Sequence, residues 1–111
     1  FYGQEQPLIG IVGWGSSEGV IREALARAVK EGYSVGAAHP KIVQPLPDKQ
    51  LAPFVRGVKK LITVDGNYSG QFGRLIREKY LVDTIPLNKY NGMPFRPDEI
   101  YQMIVEVAKT L

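Results

Sequence analysis

The residues best equipped for chemistry lie together in Val64-Asp65-Gly66-Asn67-Tyr68-Ser69-Gly70-Gln71. A carboxylate, two amides, a phenol and a hydroxyl stand here with two glycines, and packing a core requires none of them. Asp65 has the chemistry of a general acid or a cation ligand. Asn67 and Gln71 can each donate and accept hydrogen bonds, and Tyr68 offers a ring and a hydroxyl. A working acid–base site also needs a nucleophile, a second titratable group or a metal cluster. None accompanies Asp65 at a recognisable spacing. A lone aspartate in such a turn more often braces it by accepting backbone N–H bonds.

Two other segments have related character. Gly13-Trp14-Gly15-Ser16-Ser17 pairs an indole with two helix-capping hydroxyls, Ser16 and Ser17. Its glycines at 13, 15 and 19 are spaced one residue too long for a dinucleotide fingerprint. No acid closes the next strand, which ends at His39-Pro40, so a ribose hydroxyl has no partner there. The sequence also lacks a Gly-Lys-Ser/Thr phosphate loop. Free N–H groups at the following helix start leave a backbone anion site open as an alternative to a plain capped turn. His39 has no acid or nucleophile near it in sequence and reads as structural. The third segment, Asn91-Gly92-Met93-Pro94-Phe95, is a turn or loop. Large or amide side chains in turns serve as contact residues as readily as core. The contact candidates are Trp14, Ser16, Asp65, Asn67, Tyr68, Gln71 and Asn91. No residue is assigned as catalytic, cofactor-binding or metal-ligating.

The elements that must position these turns follow from hydrophobic periodicity. Leu8 to Val12, Tyr33 to Ala38, Lys60 to Val64 and Thr84 to Leu87 are short apolar runs that read as strands. Ile21, Ala24, Leu25, Ala28 and Val29 recur at helical spacing, with Glu18–Arg22 and Glu23–Arg27 as i, i+4 pairs on the wet side. Gly32 is the expected stop. Asp48 opens a short helix with Leu51, Phe54 and Val55 as apolar contacts, which Pro53 limits or kinks. Phe72, Leu75, Ile76 and Tyr80 stripe the next helix. Pro97 stands at a first helical position before Ile100, Met103, Ile104, Val107, Ala108 and Leu111. Strand and helix alternate throughout, which predicts a mostly parallel sheet with helices on both faces.

The totals bound the function classes. The 111 residues suit one domain with a real core. The hydrophobic content is 44% and the charged content 23%, ordinary for a globular chain. No cysteine is present, which removes thiolate nucleophiles and cysteine-held clusters, and the single histidine disfavours an imidazole-based metal site. Fourteen basic and eleven acidic residues give a formal charge of +3, with Lys59-Lys60 the only adjacent basic pair. A nucleic-acid groove needs a denser cluster. No run reaches the roughly 20 apolar residues of a membrane helix, and no signal pattern opens the chain. The chain begins Phe1-Tyr2-Gly3 without methionine and is expected to be a piece of a longer subunit.

Taken together, the Gly13–Ser17 turn, Pro45-Leu46-Pro47, Asn67-Tyr68-Ser69-Gly70-Gln71 and Lys89-Tyr90-Asn91-Gly92-Met93-Pro94-Phe95 resemble a known family. It is the carboxyl-terminal domain of the alpha subunit of 2-oxoacid:ferredoxin oxidoreductases, the 2-oxoglutarate type in particular. The Asn-x-x-Gly-Gln turn and the Lys-Tyr-Asn-Gly-x-Pro-Phe loop are its specific parts. Asp65 stands where the family usually has glutamate, and Leu46 where it often has phenylalanine. The resemblance implies a transketolase carboxyl-terminal-like fold over residues 1–111. That fold is a three-layer α/β/α sandwich on a mostly parallel sheet of four to five strands, with an antiparallel strand allowed at one edge. It also implies a cytoplasmic enzyme that decarboxylates a 2-oxoacid on thiamine diphosphate and magnesium. Such an enzyme passes the acyl group to coenzyme A and the electrons through iron–sulfur clusters to ferredoxin. The implied groups would lie outside this chain. Its partners would be its own amino-terminal thiamine-binding domain, the beta subunit and, for the complex, ferredoxin. The alternatives are the equivalent domain of another transketolase-like enzyme, such as a 2-oxoacid dehydrogenase beta chain, and a free-standing α/β module that binds an anion or small ligand.

Overall fold

The structure is a computed structural model, and it describes residues 2–3, 6–14, 18–39, 48–65, 71–88 and 95–111. At Trp14, Asp65, Gln71 and Asn88 the description is of the backbone. Ser16, Asn67, Tyr68 and Asn91, together with the Ser16/Ser17 cap, lie outside the described residues.

Along the chain run β1 (Tyr2–Gly3), β2 (Ile9–Trp14), α1 (Glu18–Lys30), β3 (Val35–Ala38) and α2 (Asp48–Gly57). They are followed by β4 (Lys60–Asp65), α3 (Gln71–Tyr80), β5 (Ile85–Asn88) and α4 (Pro97–Ala108). The five strands form one sheet in the order β1-β3-β2-β4-β5. β3, β2, β4 and β5 are mutually parallel, and β1 pairs antiparallel with β3 at the edge. This is the doubly covered, mostly parallel architecture that the alternation of elements predicts. β1 is the antiparallel edge strand that the family resemblance allows, but periodicity does not place it at residues 2–3: two residues carry no period, and only their pairing with Gly36 and Ala37 makes them a strand.

β2, β3 and β4 bury both faces and divide their side chains between two cores, while β5 at the edge half-buries Ile85 and Leu87 on one face and exposes Pro86 on the other. Ile9, Ile11, Val35, Ala37, Ile62 and Val64 meet Ile21, Ala24, Leu25 and Ala28 of α1 and Ile100, Ile104 and Val107 of α4. On the opposite face Val12, Ala38 and Leu61 meet Leu51 and Val55 of α2 and Ile76 and Tyr80 of α3. The period-2 alternation of the strands and the 3.6 period of the helices thus serve one packing scheme. At about 25 cal/mol per Å² of apolar surface removed from water, this double burial is the dominant favourable term.

Specific local contacts close the helix ends. α1 finishes in a Schellman motif: Gly32 has φ 96°, its N–H donates to the Val29 carbonyl (3.0 Å), and the Tyr33 N–H donates to the Ala28 carbonyl (3.0 Å). Pro97 opens α4, and the Arg96 N–H donates to Glu99 Oε1 at 2.8 Å. α2 runs through Pro53 from 48 to 57, so the proline does not end it. Leu111 is 51% exposed and lies past the end of α4, outside the buried face expected for it.

Glu18 and Arg22 form the expected pair, with N···O 3.3 Å. Arg27 does not pair with Glu23. It reaches across to α4, where its guanidinium lies 3.9 Å from the centre of the Tyr101 ring. The Tyr101 hydroxyl donates to the Glu31 carboxylate, tying the end of α1 to α4. That hydrogen bond raises the Tyr101 hydroxyl above its ordinary value of 10.0, since ionising the phenol would break the bond and set two negative charges together. A raised acid favours folding in its protonated form. The contribution is therefore complete below about pH 10 and disappears as pH rises through the folded value. Tyr101→Phe is expected to lower Tm at pH 8. It should also flatten the fall of Tm between neutral pH and strong alkali, a profile that thermal melts across pH will check.

Candidate functional site

Register brings two of the sequence candidates into line. Trp14 closes β2 and pairs in register with Asp65, the last residue of β4. Asp65 pairs in turn with Asn88, the last residue of β5. The row Trp14–Asp65–Asn88 therefore runs straight across three neighbouring parallel strands at their carboxyl ends. Gln71, the first residue of α3, opens the helix that follows β4. Half-buried His39 follows β3 at the same edge.

Topology gives this row its meaning. β3 lies on one side of β2 and β4 on the other. The chain leaving β2 enters α1 on one face, and the chain leaving β4 enters α3 on the opposite face. The two connections diverge, which makes β2/β4 the topological switch point, the place where open α/β sheets receive ligands and partners. Trp14 and Asp65 flank it. Sequence reasoning missed Asn88 because its strand was expected to end at Leu87. An amide directly after an apolar run was the available signal.

One row behind the edge the packing tightens. Thr63 is fully buried, and its Oγ1 makes no hydrogen bond. A Cβ placed on Gly73, in the first turn of α3, would stand 3.0 Å from that oxygen. The glycine therefore lets the start of α3 settle closely on β4 and brings Gln71 toward the carboxyl edge. Among the described residues no group of three or more His, Cys, Asp or Glu is arranged to hold a metal ion.

Residues 9–100 match the family model described as pyruvate:ferredoxin oxidoreductase core domain II. The chain belongs to this family. Among curated relatives, 2-oxoglutarate oxidoreductase subunit KorA of Mycobacterium tuberculosis is 38% identical over 94 residues, covering 85% of this chain and 14% of that protein. A solved structure of 2-oxoglutarate:ferredoxin oxidoreductase from Magnetococcus marinus, with 2-oxoglutarate, coenzyme A and succinyl-CoA bound, superimposes with a TM-score of 0.85. The identity is 35%, and the match covers 96% of this chain and 18% of that one. A split-gene transketolase superimposes at TM-score 0.73 over 96% of this chain and 40% of its own. At 13% identity it shares the fold alone. The core domain II family thus bears out the alpha-subunit resemblance and the transketolase carboxyl-terminal-like fold, and it separates this chain from a dehydrogenase beta chain. The chain spans only 14% to 18% of the length of the alpha-subunit relatives just described.

Thr63 supplies a test of the packing behind the edge. A buried hydroxyl without a partner costs about 1–3 kcal/mol relative to an apolar group of similar shape. Thr63→Val is therefore expected to raise the unfolding free energy by about 1 kcal/mol, read from the urea midpoint. A lowered midpoint would mean that the hydroxyl has a bonded role.

Proposed function

We propose that this chain is one domain of a larger 2-oxoacid:ferredoxin oxidoreductase alpha subunit and that it serves that enzyme in assembly. The reaction is oxidative decarboxylation of a 2-oxoacid to an acyl-CoA with reduction of ferredoxin. The family match over residues 9–100 carries this reading. The donor set supports this reading: the sequence holds no cysteine for a cluster, and Asp65 has no nucleophile or second titratable group at a recognisable spacing beside it in the sequence. Thiamine diphosphate, when bound elsewhere in the enzyme, would supply the carbanion chemistry. No residue of this chain is assigned to hold it, its magnesium or an iron–sulfur cluster.

The work of the domain lies at the carboxyl edge. Trp14, Ser16, Asp65, Asn67, Tyr68, Gln71 and Asn91, joined now by Asn88, are proposed to contact the subunit's own amino-terminal domain and the beta subunit. Their types suit a contact surface, since rigid aromatic rings supply area while amides and a carboxylate supply directional hydrogen bonds. The described helices include none long and apolar enough to cross a membrane.

Two outcomes follow. The 111-residue chain alone is expected to show no tight binding of magnesium–thiamine diphosphate by calorimetry and no 2-oxoacid turnover. One-to-one binding in the micromolar range would refute the assembly role. In the complete enzyme, Tyr68→Ala is expected to weaken subunit association by about 2 kcal/mol, the scale of an interface hot spot. Unchanged assembly and activity would remove Tyr68 from the interface.

A further inference from the structure

The opposite, amino-terminal edge of the sheet carries a second set of features that the family assignment does not explain. Leu81, the first residue beyond α3, has φ 56°. Its N–H donates to the Arg77 carbonyl at 2.9 Å, the single bond of a left-handed helix cap. Glycine or asparagine ordinarily fills that position, as Gly32 does after α1. A leucine there strains the backbone, and this leucine is also 86% exposed. Neither folding nor solubility gains from it. Backbone strain that holds an apolar side chain out in water points to a contact.

The surroundings agree. Leu81 and Val82 line a cleft of about 530 Å³ together with Arg74, Arg77, Glu78 and Asp83. A second cleft, of about 520 Å³, opens at the same edge between Pro7 and the Phe54, Gly57 and Val58 end of α2. Its rim includes Gln6, the other non-glycine residue at positive φ (50°), and Leu8 beside it is 41% exposed. The Leu8 carbonyl accepts from the Lys59 N–H at 2.8 Å, so the basic pair Lys59-Lys60 stands between the clefts. β2 and β5 are separated only by β4, so the segments that lead into them, which line the two clefts, enter the sheet two strands apart. Arg74 and Arg77 line the first cleft with Glu78 and Asp83, and Arg56, Lys59, Lys60 and Lys79, on the last turns of α2 and α3 and the start of β4, bring the cations of this part of the chain to six. α1 and α4 with their flanking residues show no such excess: Arg22, Arg27 and Lys30 are set against Glu18, Glu23 and Glu31, and Arg96 and Lys109 against Asp98, Glu99 and Glu106.

We infer that this amino edge docks an acidic protein surface of an adjoining subunit, with Leu81 as the apolar knob and the cations as its rim. The inference rests on the proposed function for the existence of a neighbouring subunit. β2 and β4 are six residues long, so the two edges stand about 20 Å apart and face opposite ways, which makes the amino-edge contact a surface distinct from the carboxyl edge.

The test uses the complete enzyme carrying Leu81→Gly, Leu81→Asn or Arg77→Glu, with subunit association measured by analytical ultracentrifugation at several salt concentrations. Tm is measured on the same variants. Both Leu81 substitutions relieve the left-handed backbone, so Tm should hold or rise while association weakens at least tenfold. Arg77→Glu should weaken association most at low salt. Association within twofold of wild type for all three variants would overturn the inference. So would a self-associated 111-residue chain that Leu81→Gly renders monomeric, since the occupant would then be a second copy. Failure of the wild-type enzyme to turn over a 2-oxoacid would count against the proposed function and leave these association results readable.

Discussion

Parallel strand pairing is the constraint from which the rest of this structure follows. Two parallel strands cannot be joined by a tight turn, so each return must cross a face of the sheet, here as a helix. All such strands leave at one edge and re-enter at the other. The connections following β2, β3, β4 and β5 therefore depart from the carboxyl edge, and α1, α2 and α3 end at the amino edge. Trp14, Asp65 and Asn88 close their strands in register at the first edge. Helix ends, with the basic last turns of α1, α2 and α3, collect at the second. One topological rule gives the domain two chemically different surfaces about 20 Å apart.

The two cores hold these surfaces rigid in different ways. The α1–α4 side is the larger cluster, with a cation–π contact and a Tyr101–Glu31 hydrogen bond at its rim. The α2–α3 side is smaller and closer-fitting. There Gly73 settles on a buried Thr63 hydroxyl left without a partner, and Leu81 holds a left-handed backbone. The irregular features thus concentrate on one face. Polar atoms left unsatisfied and backbone left strained persist only where the surrounding packing over-determines them.

Much of this was legible in the residues. The repeat from Ile21 to Ala28 specified a buried helix face, Gly32 its stop, and Pro97 the start of the last helix, because these signals are local. Asp65 stood out because its polar company in a strand-to-helix turn serves no core. Strand order was not legible: it depends on which strand β2 accepts on each side, a contact between distant segments. Without that order, nothing marks the pairing of Trp14 with Asp65 or the place of Asn88. β1 is too short to carry a period. Leu81 reads as one more apolar residue after a helical stripe, and only its backbone angle and exposure set it apart.

The central claim is that the carboxyl edge is a protein contact of a 2-oxoacid:ferredoxin oxidoreductase. Amide hydrogen exchange tests it most directly, with the 111-residue chain alone compared with the same segment inside the complete enzyme. The account predicts strong added protection in the enzyme at residues 14–18, 65–71 and 88–95, beyond any change in the buried strands. Equal exchange of those segments in both states would contradict it.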